Sequence, residues 1–233
     1  MASFIRTLKN SKPMIYAALF VMLLALLLLS PTEATLGNVV KIVYAHGAAQ
    51  RIAAYAYLIA GGLGLVSLLL RGAILIGATK QFPTAVTFEQ WAQAVAEVAI
   101  VFWIVQFVIS APAQILAWGA FTLNEPRVAG ALWILLLTAL IYIVARWIGE
   151  KNSLCVSIAA IANAAVYVIV LRGEVNILHP FDPILGSDSL AIKIFYAAIV
   201  VTMGFIAFQF TRDRVGQIRA SDLPYVRSTN VNI

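Results

Sequence analysis

Two histidines are the residues of this chain best suited to hold a metal cofactor. His46 and His179 are the only histidines in the 233 residues, and each lies in a short polar break between long apolar runs. A neutral imidazole forms a strong axial bond to haem iron while a hydrogen-bond acceptor orients its other ring nitrogen. The pair therefore predicts bis-histidine ligation of one haem, provided that both breaks lie at the same face of a membrane. A lone histidine at a helix end is otherwise a solvated or capping residue.

The composition indicates a membrane protein. Hydrophobic residues make up 62% of the chain and charged residues 11%, whereas soluble domains carry about a quarter charged residues. A hydrocarbon core about 30 Å thick takes on the order of 20 residues per helix. We therefore expect an all-α polytopic fold with about six transmembrane helices. The apolar runs cover about residues 14–29, 52–76, 91–109, 128–144, 154–171 and 190–210.

The whole chain, 1–233, is expected to form a single membrane domain. Its core would cover about 40–210, and the polar segment 211–233 would form a flexible or surface-lying cytoplasmic tail. The first apolar run has an alternative interpretation as a signal peptide. Arg6, Lys9 and Lys12 precede it, and a small-residue site follows near Ala34.

The distribution of basic residues predicts the orientation. With the amino terminus inside, eleven of the sixteen Lys and Arg residues fall on the inner side, and five fall outside: Lys41, Arg51, Arg127, Arg172 and Lys193. The positive-inside rule then places both termini in the cytoplasm. His46 and His179 both face outward in this topology. The formal charge of +6 is explained by this topology, so it gives no support for nucleic-acid binding.

Several chemistries are excluded by missing motifs. Cys155 is the single cysteine, so the chain has no internal disulfide and no cysteine-pair metal site. No C-x-x-C-H sequence occurs, so a bound haem is expected to be non-covalent haem b. The chain also lacks Walker motifs and could not power transport by itself. We do not expect it to be an enzyme.

Three segments predicted to face outward carry a resemblance to a known family. The segment 117–127 contains Trp118, Gly119, Phe121, Glu125 and Arg127 at the spacing of a W-G-x-W-W-x-W-D-x-R motif. In this respect the chain resembles the CcmC-type haem-handling proteins of the cytochrome c assembly family. Phe121 replaces one tryptophan of that motif, and Glu125 replaces its aspartate.

The other two segments add to the resemblance. Residues 44–49, which include His46, are similar to the Y-x-H-x-x-A segment that opens the family's second span. Residues 163–180, which end in Leu178-His179-Pro180, are similar to the fifth span and its following L-H motif. The resemblance covers about residues 40–210.

This resemblance implies a function in cytochrome c maturation. The protein would lie in the plasma (inner) membrane of a prokaryote and hold haem b at its outer face between His46 and His179, beneath Trp118 and Phe121. It would present the haem to a maturation pathway that includes an ABC-type ATPase, a second membrane subunit and an outer haem chaperone.

The departures from the motif support a second hypothesis. Thr122 and Asn124 stand where the family has tryptophan, so the aromatic platform loses contact area for a porphyrin. A reduced platform is also consistent with a permanently haem-loaded electron-transfer or structural subunit of a larger membrane complex. A small-solute transporter without haem is a third possibility, which requires the two histidines to be coincidental.

Arginines near the histidines are candidates to bind the haem propionates. Arg51 and Arg127 have guanidinium groups that match carboxylates bidentately, although both could simply anchor helix ends at the interface. Glu125, just before Pro126, is expected to cap the fourth span rather than to contact haem.

Two features inside the spans are expected to be structural. Glu97 is an acidic residue within the third apolar run, and we expect it to pair with Arg71. Gly61, Gly62 and Gly64 are expected to allow close packing of the second span, with a lateral entry for haem as the alternative.

Overall fold

The computed structural model describes residues 2–80, 82–149, 153–173, 184 and 186–229. Its regular elements in this part of the chain are six α-helices: α1 (Ala2–Leu29), α2 (Val40–Leu75), α3 (Phe82–Trp118), α4 (Pro126–Ile148), α5 (Ser153–Gly173) and α6 (Leu190–Thr229). Each contains a segment long and apolar enough to cross a membrane. The prediction of an all-α polytopic membrane protein is confirmed.

Two of the helices are much longer than the spans predicted from hydropathy. α2 has 36 residues and α3 has 37, so each is about 55 Å long at a rise of 1.5 Å per residue. The predicted range 52–76 starts too late and the range 91–109 is short at both ends, because polar residues such as Lys41 of α2 and Gln90 of α3 continue the helices. His46 consequently lies within α2 and not in a polar break before it.

α6 also extends beyond its apolar run. The segment from 211, predicted as a tail, continues the helix to Thr229. Thr211, Val215 and Ile218 are buried, and their spacing forms one helical face. Val215 and Ile218 cluster with Ala94 of α3, and this packing keeps the polar segment helical.

The connection after α1 is fixed by local hydrogen bonds. The Glu33 carboxylate accepts bonds from the backbone amides of Thr35 and Leu36, each at 2.8 Å. The bond from Leu36 lowers the pKa of Glu33. Lys41 Nζ then donates to the carbonyl oxygen of Leu28 at 2.6 Å. An ammonium group at the last turn of a helix complements its dipole, so Lys41 ties the start of α2 to the end of α1.

The chain divides into two compact units. The first unit draws on 1–52, 105–121 and 179–208, and the second on 53–104, 122–178 and 209–233, within the described residues. The second unit contains a buried aromatic cluster formed by Tyr57, Trp103 and Tyr167. Tyr57 and Tyr167 are stacked at a centroid separation of 5.9 Å, and Trp103 meets both edge-on. Trp103 is 1% exposed and Tyr57 is fully buried.

Two glycines of α2 allow close contact with α5. A Cβ atom added to Gly61 would lie 2.5 Å from Cβ of Ala164, and one added to Gly64 would lie 2.7 Å from the carbonyl oxygen of Ser157. A Cβ at Gly62 would meet nothing within 4 Å. The packing role is therefore confirmed for Gly61 and Gly64 but not for Gly62.

This difference makes Gly62 a matched control for Gly64. Gly64→Ala is expected to destabilise the protein by about 1–3 kcal/mol, since the backbone oxygen that it meets cannot rotate away. Gly62→Ala is expected to be neutral or stabilising by up to about 1 kcal/mol, because alanine is the better helix former. Thermal unfolding in detergent would measure both effects. Equal effects of the two substitutions would contradict the close helix contact.

Candidate functional site

His46 is oriented by a backbone carbonyl of a neighbouring helix. It lies six residues after the start of α2, about 9 Å along the helix axis, and its side chain is half-buried. Its Nδ1 is 3.0 Å from the carbonyl oxygen of Gln106 on α3. Because a carbonyl oxygen can only accept, Nδ1 carries the proton and the lone pair resides on Nε2. This tautomer suits an imidazole that ligates a metal through Nε2.

The Gln106 side chain provides a second polar group next to this histidine. Gln106 is 1% exposed, and its Nε2 has no hydrogen-bond partner among the described residues. A buried donor left unsatisfied costs about 1–3 kcal/mol. Such a group is usually explained by a bound ligand, an ion or a water molecule. Gln106 therefore carries an unmet donor in its side chain, while its backbone carbonyl orients His46.

Arg51 is held in place by Tyr196. Its Nε donates to the Tyr196 hydroxyl at 2.9 Å, and its Cζ lies 5.4 Å from the centroid of the same ring. Tyr196 is 3% exposed, and its ring lies 6.2 Å from that of Tyr44. A Cβ added to Gly47 would lie 3.1 Å from the Tyr196 hydroxyl oxygen. Glycine at position 47, next to His46, thus lets Tyr196 approach α2 closely.

The predicted aromatic platform lies at the carboxyl end of α3. Trp118 is the last residue of that helix and is 57% exposed, and Phe121 is half-buried in the connection that follows. Twelve residues separate Trp118 from Gln106, which corresponds to about 18 Å along the helix. His46 bonds α3 at Gln106, so it lies several helical turns of α3 away from the helix end that carries Trp118 and Phe121.

Glu125 acts as the amino-terminal cap of α4. Its carboxylate accepts a bond from the Val128 amide at 2.9 Å, and Pro126 occupies the first helical position. The prediction that Glu125 caps the fourth span is confirmed. Arg127, the next residue after Pro126, is half-buried and belongs to the second unit.

His179 lies outside the described residues, so its role as the second iron ligand stays a prediction. No cluster of three or more His, Cys, Asp or Glu side chains suited to a metal ion is found in the described part of the chain.

Glu97 has different partners from the one predicted. Its carboxylate accepts hydrogen bonds from Arg214 of α6 and Tyr142 of α4, and Arg214 Nη2 lies 3.1 Å from Oε1. Gln93 Nε2 donates to the same oxygen at 3.0 Å. The predicted Glu97–Arg71 pair was wrong, because the helical extension of α6 brings Arg214 to Glu97.

Arg71 pairs instead with Glu89. Its Nε and Nη2 bind the two carboxylate oxygens of Glu89, the second at 2.9 Å. Ser67 Oγ also donates to Oε1 of Glu89 at 2.9 Å, and the guanidinium lies 5.3 Å from the ring centroid of Phe82. The Glu89 side chain is 2% exposed. Glu89 of α3 therefore binds α2, and Glu97 of α3 binds α6.

The comparisons with known proteins leave the family open. No model of a known protein family matches the chain, and no curated protein matches it. The functional interpretation consequently depends on the residues around His46.

Proposed function

We propose that this multi-pass membrane protein binds haem b non-covalently at its outer face and presents it for cytochrome c maturation. The observation that carries the proposal is the hydrogen bond from His46 Nδ1 to the Gln106 carbonyl. This bond fixes the ring and leaves the lone pair on Nε2, as axial ligation requires. The outer position follows from the distribution of Lys and Arg residues along the chain.

The polar residues near His46 fit the other parts of a haem. Gln106 offers a buried donor without a partner among the described residues, and haem carries two propionates that accept hydrogen bonds. Arg51 supplies a positive charge one and a half helical turns beyond His46. Its Nε donates to the Tyr196 hydroxyl, and a guanidinium group recognises a carboxylate bidentately through its N–H donors. Tyr196 is thus a positioning residue for Arg51.

His46, with His179 as the predicted second ligand, would hold the iron. The bound haem supplies an iron centre that accepts these two imidazole nitrogens, and the protein contributes their orientation. The role of Arg127 as a propionate ligand stays a prediction of the resemblance.

The exposed end of α3 favours a carrier over a closed haem subunit. Trp118 is 57% exposed, and an exposed aromatic side chain of this size provides contact area for a partner. In this proposal, Trp118 and Phe121 form the surface that meets an outer haem chaperone. An ABC-type ATPase and a second membrane subunit are the further partners that the resemblance implies.

A visible spectrum of the purified protein tests the proposal. We expect a low-spin, six-coordinate haem b spectrum after purification or after titration with haemin. Acidified organic solvent should extract the haem, because the chain has no C-x-x-C-H site. Incubation with apomyoglobin should then move haem to the acceptor. Failure to bind haem in both preparations would contradict the proposal, and tight binding without transfer would favour the resident electron-transfer subunit.

A further inference from the structure

The buried side chain of Asn163 in α5 is not explained by haem binding at His46. Asn163 is 1% exposed, and neither Nδ2 nor Oδ1 has a hydrogen-bond partner among the described residues. The amide contains two donors and an acceptor with two lone pairs. Asn163 belongs to the second unit, whereas His46 and Gln106 belong to the first.

A buried side-chain amide such as that of Asn163 needs a hydrogen-bond partner. Transfer of an amide from water to an apolar environment without a compensating hydrogen bond costs several kcal/mol. Inside a bilayer the surrounding hydrocarbon offers no water to bond it. Buried waters in proteins occur where polar groups are otherwise unsatisfied. The two unmet ends of the Asn163 amide therefore indicate a bound molecule that both donates and accepts.

The polar groups of Tyr57 and Trp103 are already paired. Asn163 and Tyr167 are four residues apart in α5 and so share one helix face. Tyr167 belongs to the aromatic cluster with Tyr57 and Trp103. The Tyr57 hydroxyl bonds Thr138 Oγ1 at 2.9 Å, and Trp103 Nε1 donates to the Ala131 carbonyl at 2.9 Å. Among the described residues of α5, buried side-chain atoms without a hydrogen-bond partner are those of Asn163 and the Ser157 hydroxyl, and the Asn163 amide has the larger unmet capacity.

The side chains of the aromatic cluster and of Thr138 also define the chemistry of the bound molecule. Tyr57, Trp103, Thr138 and Tyr167 are uncharged, so this environment favours a neutral molecule over an ion. α2 approaches α5 closely at Gly61, where an added Cβ would lie 2.5 Å from Cβ of Ala164, which limits the molecule's size. We propose that Asn163 binds one or more ordered water molecules inside the second unit. This site is independent of haem binding at His46.

X-ray hydroxyl-radical footprinting of the whole protein in detergent tests the water site. Radicals formed from bound water oxidise adjacent side chains even where bulk solvent has no access. We expect oxidation of Tyr57, Trp103 or Tyr167, and Tyr57 and Trp103 are the sharper reporters because they are fully or almost fully buried. Asn163→Leu should reduce this oxidation several-fold, and Asn163→Ser should retain more of it because a hydroxyl still binds water.

Two controls make the outcome decisive. Trp147 is 84% exposed, so its oxidation should be unchanged in every variant. Asn38→Leu makes the same substitution in an exposed connection and should leave the aromatic cluster's oxidation at the wild-type level. Circular dichroism and size-exclusion chromatography would establish that Asn163→Leu is folded, and Asn163→Ala replaces it if it is not. Absence of oxidation in the wild-type cluster, or unchanged oxidation in the folded variant, would overturn the proposal.

Discussion

His46→Ala is expected to remove the low-spin, six-coordinate haem spectrum. The substitution deletes the nitrogen proposed to bond the iron, so haem should be lost or left in a high-spin site with one axial ligand. His179→Ala should have the same effect, and the double substitution should abolish specific binding. Visible absorption of the purified variants, together with the haem-to-protein ratio, would measure the loss.

His46→Asn is the matched control for this prediction. An asparagine amide can still donate to the Gln106 carbonyl, which accepts the Nδ1 bond at 3.0 Å in the wild type, but it lacks the imidazole lone pair. This variant should therefore keep the local packing and still lose ligation. Trp118→Ala should leave the spin state unchanged and slow haem transfer, since Trp118 lies about 18 Å along α3 from Gln106 and is proposed to meet the chaperone. Wild-type ligation in the asparagine variant would show that His46 is not a ligand.

Local sequence signals predicted the positions of single elements well. Six apolar runs correctly predicted six helices, and the Glu125-Pro126 pair correctly predicted a helix start because capping depends only on adjacent residues. The helix ends were less predictable. Hydropathy registers the apolar part of a helix, so it missed the polar turns of α2 before residue 52 and of α6 after residue 210.

Contacts between helices were much harder to predict. The depth of Glu97 in the membrane was apparent from its position, but its partner depends on how the helices rotate and how far they extend. Arg214 lies in the segment predicted as a tail, so hydropathy does not place it beside Glu97. Tyr196 is one of eight tyrosines, and nothing in its local sequence distinguishes it. Gln106 gave a usable signal, since it interrupts an apolar run between Val105 and Phe107.

The ion pair between Arg71 and Glu89 should produce the largest change in stability. Arg71→Met would remove the guanidinium that binds both oxygens of the Glu89 carboxylate, a side chain that is 2% exposed. Removing one partner of a buried pair costs about 3–5 kcal/mol. Ser67 still donates one bond to that carboxylate but cannot neutralise it. The free energy of unfolding in mixed detergent micelles would measure the cost.

The double variant Arg71→Met with Glu89→Leu should recover most of this stability, because hydrophobic replacement of a whole buried pair is often neutral. Arg71→Met with Glu97→Gln should instead be additive within about 0.5 kcal/mol, since the hydrogen bonds of Glu97 come from Gln93, Tyr142 and Arg214. Arg212→Met, at an exposed position of α6, controls for loss of an arginine and should change stability by less than about 0.5 kcal/mol. Coupling of Arg71 to Glu97, with none to Glu89, would contradict the observed pairing.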